Sequence, residues 1–135
     1  MNAPRILIVE DHALIAKFYR LALERAGGYS CVVTENVPEI LALVRAGGIA
    51  LAIVDVSLSA AEWEGRILDG VELTRMIKAA SPGRLPVLLA TAHAMTGDRE
   101  RLLETSTADD YLQKPVYEAA VLLTKVRALL EHGRG

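Results

Sequence analysis

Cysteine is nearly absent: Cys31 is the only one in 135 residues, which excludes an internal disulfide framework and suits a reducing compartment. Glycine (10) and proline (5) are too few for a collagen-like, linker or disordered composition. No run of lysine and arginine stands out. The 15 basic and 17 acidic residues give a formal charge of -2, so DNA or RNA as a direct ligand is not expected. No apolar stretch approaches the ~18 residues of a membrane span. Met1-Asn2-Ala3-Pro4-Arg5 is followed by only four apolar residues, too few for a signal-peptide core. A soluble, cytoplasmic protein without membrane insertion is expected.

What the chain does have is apolar: 52% of residues are hydrophobic and 24% charged. At this length one domain with a real core is expected, hiding about 68 to 70% of its unfolded surface. Three runs, Ile6 to Val9, Ile49 to Val54 and Pro86 to Ala90, are apolar without alternation, as in strands covered on both faces. Ser30 to Glu35 and Asp109 to Gln113 are more polar and read as edge strands. Helical periodicity fills every gap. Leu14, Phe18, Leu21 and Arg25, with Ile15 and Ala22 beside them, form a first stripe that Gly27-Gly28 ends. Asn36 is placed to cap a second helix and Asp69 a third. Asp98 to Thr105 is a short charged helix, and Ala119, Leu122, Leu123, Val126 and Leu130 stripe the last. Strand and helix alternate five times. The fold class predicted is therefore α/β, a flavodoxin-like (βα)5 doubly wound parallel sheet with strand order 2-1-3-4-5.

In such a sheet the ligand site lies beyond the carboxyl ends of the central strands. The first strand ends in Glu10-Asp11, the third in Asp55, the fourth in Thr91, and the fifth runs into Lys114-Pro115. Singly each has a plain structural role: Asp11 as a helix cap, Asp55 as a turn residue, Thr91 as a hydroxyl bonded to local backbone, Lys114-Pro115 as a turn. Jointly they place three carboxylates, a hydroxyl and an ammonium on one crevice. Carboxylates about 4 Å apart repel by about 4 kcal/mol per pair at an effective dielectric near 20, so the cluster calls for a cation. All-oxygen donors favour a hard divalent ion, magnesium or manganese. Three carboxylates against that ion and Lys114 sum to zero, which leaves a pocket able to receive a phosphoryl group.

Five segments then fall in order: Ile6-Leu7-Ile8-Val9-Glu10-Asp11, Ile53-Val54-Asp55, Leu68-Asp69-Gly70-Val71-Glu72-Leu73, Leu89-Ala90-Thr91-Ala92 and Tyr111-Leu112-Gln113-Lys114-Pro115. Together they span essentially the whole chain, which closely resembles the receiver domain of bacterial two-component response regulators. The resemblance implies that Asp55 accepts a phosphoryl group from a phosphohistidine on a sensor histidine kinase or histidine phosphotransfer protein. It implies that Glu10, Asp11, Asp55 and the backbone carbonyl of Ser57 hold magnesium, that Thr91 and Lys114 bind phosphoryl oxygens, and that the Lys114-Pro115 bond is cis. Tyr111 is the implied aromatic switch. The face of the fourth helix, fifth strand and fifth helix is the implied contact with an unnamed downstream protein or a second phosphorylated copy. Such a domain is a switch and not a conventional enzyme, although it catalyses its own phosphotransfer and dephosphorylation. The expectation is a single receiver domain over residues 1–135 with no output domain.

The chain departs from the family pattern after Asp55. Ser59 stands where a proline is usual, and roughly seven extra residues, including Trp63, form an extended loop over about residues 57–68. That loop is either a tolerated surface insertion or a modulator, with Trp63 packed over the pocket or against a partner. Small Ala92 is expected to leave the pocket mouth open. His93 is either a second modulator of water access or an ordinary loop residue. An aspartyl phosphatase is the nearest enzyme alternative, but Ser57 occupies the position of its second aspartate. Flavin or dinucleotide binding conflicts with Glu10-Asp11-His12 after the first strand. A receiver-like interaction module that works without phosphorylation is the remaining alternative.

Overall fold

The computed structural model describes residues 3–92 and 98–132. In chain order the elements are β1 (Arg5–Val9), α1 (Ala13–Leu21) continuing into a π-helical segment (Ala22–Ala26), β2 (Ser30–Val33), α2 (Val37–Arg45), β3 (Leu51–Asp55), β4 (Glu62–Trp63), β5 (Arg66–Ile67), α3 (Gly70–Ala80), β6 (Val87–Thr91), α4 (Asp98–Ser106), β7 (Asp110–Gln113) and α5 (Ala119–His132). Five strands form one sheet in the order β2-β1-β3-β6-β7, and every pairing in it is parallel. This is the predicted 2-1-3-4-5 order, with the two polar strands at the edges. No helix among the described residues is long and apolar enough to cross a membrane.

The unalternating strands are explained by a core on each face. Leu7, Val9, Ala52, Val54, Val87 and Leu89 pack with α2 and α3, whereas Ile6, Ile8, Leu51, Ile53, Leu88, Ala90 and Leu112 pack with α1 and α5. Side chains leave a strand to alternate sides, so each strand feeds both cores and every inner position must be apolar.

Two helices start as expected. The Asn36 side chain accepts a hydrogen bond from the Glu39 amide at 2.9 Å. Asp69 and Glu72 form a reciprocal capping box at the start of α3. The first helix keeps part of its expected stripe: Ala22 is buried and Ile15 and Phe18 pack against the core beside Ala16, Tyr19 and Leu23, whereas Leu14 is 72% exposed. Leu14 lies instead beside the groove described below.

The segment after β3 is not an open loop. Glu62–Trp63 and Arg66–Ile67 pair as a two-stranded antiparallel hairpin. Its two turn residues, Glu64 (φ 50°) and Gly65 (φ 82°), both adopt the left-handed conformation that two-residue hairpin turns require. Ala61 and Leu68, just outside the hairpin, are fully buried, and the Leu68 amide donates to the Ala61 carbonyl at 2.8 Å. The inserted chain thus closes on itself and contributes to the core.

Candidate functional site

Strand parity decides which tips meet. Counting outward from Ile8, Ile53 and Leu112, which all face α1 and α5, Glu10, Asp55 and Lys114 continue the same alternation, whereas Thr91 follows Leu89 on the other face. The contacts agree. Lys114 Nζ lies 3.1 Å from Glu10 Oε1 and 3.2 Å from Asp55 Oδ2. Glu10 and Asp55 are 3% and 4% exposed, and Thr91 at the end of β6 is likewise buried. One oxygen from each of Glu10, Asp11 and Asp55 lies within 4.8 Å of the others.

The helix behind Asp55 approaches unusually closely. A Cβ on Gly70 would stand 2.1 Å from the Asp55 carbonyl oxygen and 2.7 Å from Val56 Cα, so the first residue of α3 has room only for hydrogen. The Gly70 amide donates to the Val56 carbonyl at 2.9 Å, and the Ser57 amide donates to Asp55 Oδ1 at 3.2 Å. Glycine at position 70 lets the capped end of α3 sit against the strand tip that carries Asp55.

Asp11 is not the cap of α1; His12 holds that position without a side-chain bond. Asp11 Oδ2 instead accepts from the Ser59 amide at 3.2 Å and from the Ser59 hydroxyl. The sequence marks Ser59 only as standing where a proline is usual, and Glu35 only as the end of the second strand; neither is expected at the site. Glu35 follows β2, its Oε2 is buried without a hydrogen-bond partner among the described residues, and burial, then the charge of Asp11, raises its carboxyl. A bond spanning 48 residues of sequence leaves no local pattern to read.

The electrostatics follow from crowding acids. Burial first, and then the neighbouring Asp55 carboxylate, push Glu10 up to about 7, although Lys114 and the His12 amide oppose the rise. Burial alone would lower Lys114, but its bond to Glu10 and the charge of Asp55 outweigh it and hold the ammonium above its ordinary value. The Ser59 hydroxyl keeps Asp11 below the usual carboxylate range. Beneath the site Tyr19, 1% exposed, is raised by burial and further by Glu10 and Asp55. Three converging carboxylates with one ammonium are short of positive charge. The donor set is all oxygen and fits a hard divalent cation.

The remaining positions divide by region. Tyr111 on β7 is half-buried, with Lys125 Nζ 4.7 Å from its ring centroid. The Lys114-Pro115 bond is cis, as the resemblance implied. Ala92 is exposed and, with Leu14, Phe18, Tyr19 and Pro115, lines an apolar groove of about 350 Å³ beside Lys114. Trp63 packs against the α2–α3 core and lines a separate groove with Val37 and Pro38; it is Ser59, not Trp63, that joins the inserted segment to the acids. His93 lies outside the described residues.

Comparison with known proteins brings this geometry into context. Residues 6–127 match the family described as the response regulator receiver domain. The chain is 35% identical over 130 residues to the uncharacterized transcriptional regulatory protein YkoG of Bacillus subtilis, covering 96% of this chain but 52% of that protein. It is 34% identical to the polar-differentiation response regulator DivK of Brucella anthropi over 112 residues, covering 82% of this chain and 84% of that one. Among solved structures, the receiver domain of sensor histidine kinase PA1611 from Pseudomonas aeruginosa, with a magnesium ion coordinated in its active site cleft, superposes with a TM-score of 0.76 at 27% identity, over 96% of this chain and 98% of that one.

Proposed function

This chain belongs to the response regulator receiver domain family, and from that premise we propose that Asp55 is its phosphoacceptor and that phosphorylation there switches its protein contacts. The observation that carries the reading is the buried Asp55 carboxylate bonded to Lys114 inside a cluster of two further acids. Receiver domains take their phosphoryl group from histidine kinases or phosphotransfer proteins. An Asp55 oxygen bonds to phosphorus while the phosphorus–nitrogen bond of the donor phosphohistidine breaks, and the imidazole leaves with the electron pair. The product is an acyl phosphate that water later hydrolyses.

Glu10, Asp11, Asp55 and the Ser57 carbonyl are the residues that would hold magnesium or manganese. When bound, the cation supplies positive charge that offsets the phosphoryl oxygens. Lys114 offers the second positive charge, already directed at Asp55. The Thr91 hydroxyl serves a phosphoryl oxygen from the opposite parity of the sheet. The groove beside Ala92 and Pro115 gives a donor protein an apolar contact next to Asp55. Phosphorylation replaces the single Asp55 carboxylate charge by a phosphoryl group carrying about -1.5 to -2, whose oxygens draw on Thr91 and Lys114 and, through Tyr111, alter the surface of α4, β7 and α5. That surface is the proposed contact with a downstream protein or a second copy.

Incubating the protein with magnesium and acetyl phosphate tests this reading by intact mass. The expected result is a gain of one phosphoryl group in the wild type and none in Asp55→Asn. A folded wild type that gains no mass would overturn it and favour an interaction module that works without phosphorylation.

A further inference from the structure

The inserted segment contributes a residue to the acidic cluster that the family resemblance does not supply. Ser59 directs both its amide and its hydroxyl at a single oxygen, Asp11 Oδ2. Its own position is closely held. Leu58 and Ala61 on either side are buried, the Ala61 carbonyl accepts from the Leu68 amide at 2.8 Å, and the Val56 carbonyl accepts from the Gly70 amide at 2.9 Å. The chain from 56 to 70 is thereby clamped at two points, with Ser59 between them. Asp11, by contrast, lies on the short turn between β1 and α1, only partly covered. Ser59 supplies two of the bonds that hold its carboxylate, beside contacts with its own backbone and the Glu10 side chain.

We propose that Ser59 is a positioning residue that fixes the Asp11 carboxylate for a divalent cation, so that the inserted hairpin acts on metal affinity through Asp11. The inference rests on the reading of Asp11 as a metal ligand. Two donors on one oxygen set the plane of the carboxylate in advance, and the ordering is then not left to the moment of binding.

Isothermal titration of magnesium, and of manganese, into the metal-free protein tests the proposal without recourse to phosphorylation. Removing the hydroxyl in Ser59→Ala is expected to weaken binding about tenfold. Ser59→Gly should show the same loss, and Ser59→Thr, which keeps the hydroxyl, should stay within about twofold of wild type. Unchanged metal-free melting temperatures would show that the loss is not unfolding. Equal or tighter binding by folded Ser59→Ala and Ser59→Gly, or a failure of Ser59→Thr to restore affinity, would overturn the proposal. A wild type that binds neither ion would overturn the metal reading itself, and the inference with it.

Discussion

The two halves of the acidic cluster are built by different means. Glu10, Asp55 and Lys114 ride on strand tips whose direction is set by the pleat, and Lys114 closes a buried bridge between the two acids. Asp11 and Ser59 sit on loops, closer to water, and meet where the segment after β3 passes the β1–α1 turn, just before its hairpin. The sheet half needs little sequence to specify it beyond apolar runs of the right parity. The loop half depends on buried anchors at Leu58, Ala61 and Leu68. Rigid placement of charge can thus come from a sheet or from a clamped loop, and here both contribute to one crevice.

The sharpest way to break the sheet half is Gly70→Ala. The added methyl would fall 2.1 Å from the Asp55 carbonyl oxygen, and backbone on both sides leaves nothing flexible to yield. A loss of about 3 kcal/mol, or a melting temperature lower by roughly 10 °C, is expected in thermal unfolding, together with impaired phosphorylation.

Acidity probes the same half more gently. Glu10 is held up to about 7 against an ordinary value of 4.5, so the folded chain keeps this proton longer than the unfolded one. The resulting stabilisation is complete below the ordinary value and is lost as pH rises through about 7. Metal-free protein should therefore melt roughly 5 °C lower at about pH 7.5 than at about pH 5. Added magnesium should remove that difference, and Glu10→Gln, which cannot titrate, should flatten it; a slope that persists in Glu10→Gln would assign it to other groups.

The loop half is sharpened by a smaller change. Gly65 has a φ of 82° with nothing within 4 Å of the site of a Cβ. Gly65→Ala should cost only about 1 kcal/mol, from the left-handed backbone alone. Its magnesium affinity should match wild type in titration, since the turn lies beyond the Ala61–Leu68 closure that holds Ser59.

The sheet half was also the legible half. Apolar runs at Ile6 to Val9, Ile49 to Val54 and Pro86 to Ala90 announced strands buried on both faces, and the residues following them and the edge strand Asp109 to Gln113 named Glu10, Asp11, Asp55, Thr91 and Lys114. The chemistry of Gly70 was not legible, because a close approach to the Asp55 backbone exists only once α3 has packed. The hairpin escaped because strands of two residues are too short to show alternation. The bond of Ser59 to Asp11 was not legible because the two are remote in sequence, and Trp63 packs beside α2 instead. The stripe of α1 was legible in part: Ile15, Phe18 and Ala22 meet the core, while Leu14 is left exposed beside the groove at Lys114.

The pleat also governs how such a gene can change. Adding or deleting one codon within β3 would carry Asp55 to the opposite side of the sheet, out of reach of the lysine, and reverse every inward methyl group along with it. The same event between Ala61 and Leu68 lengthens or shortens a ribbon that is already outside the five-stranded sheet. Natural variation in length should therefore collect where the backbone has left the sheet, and a designer seeking somewhere to graft new sequence would begin at the Glu64-Gly65 bend.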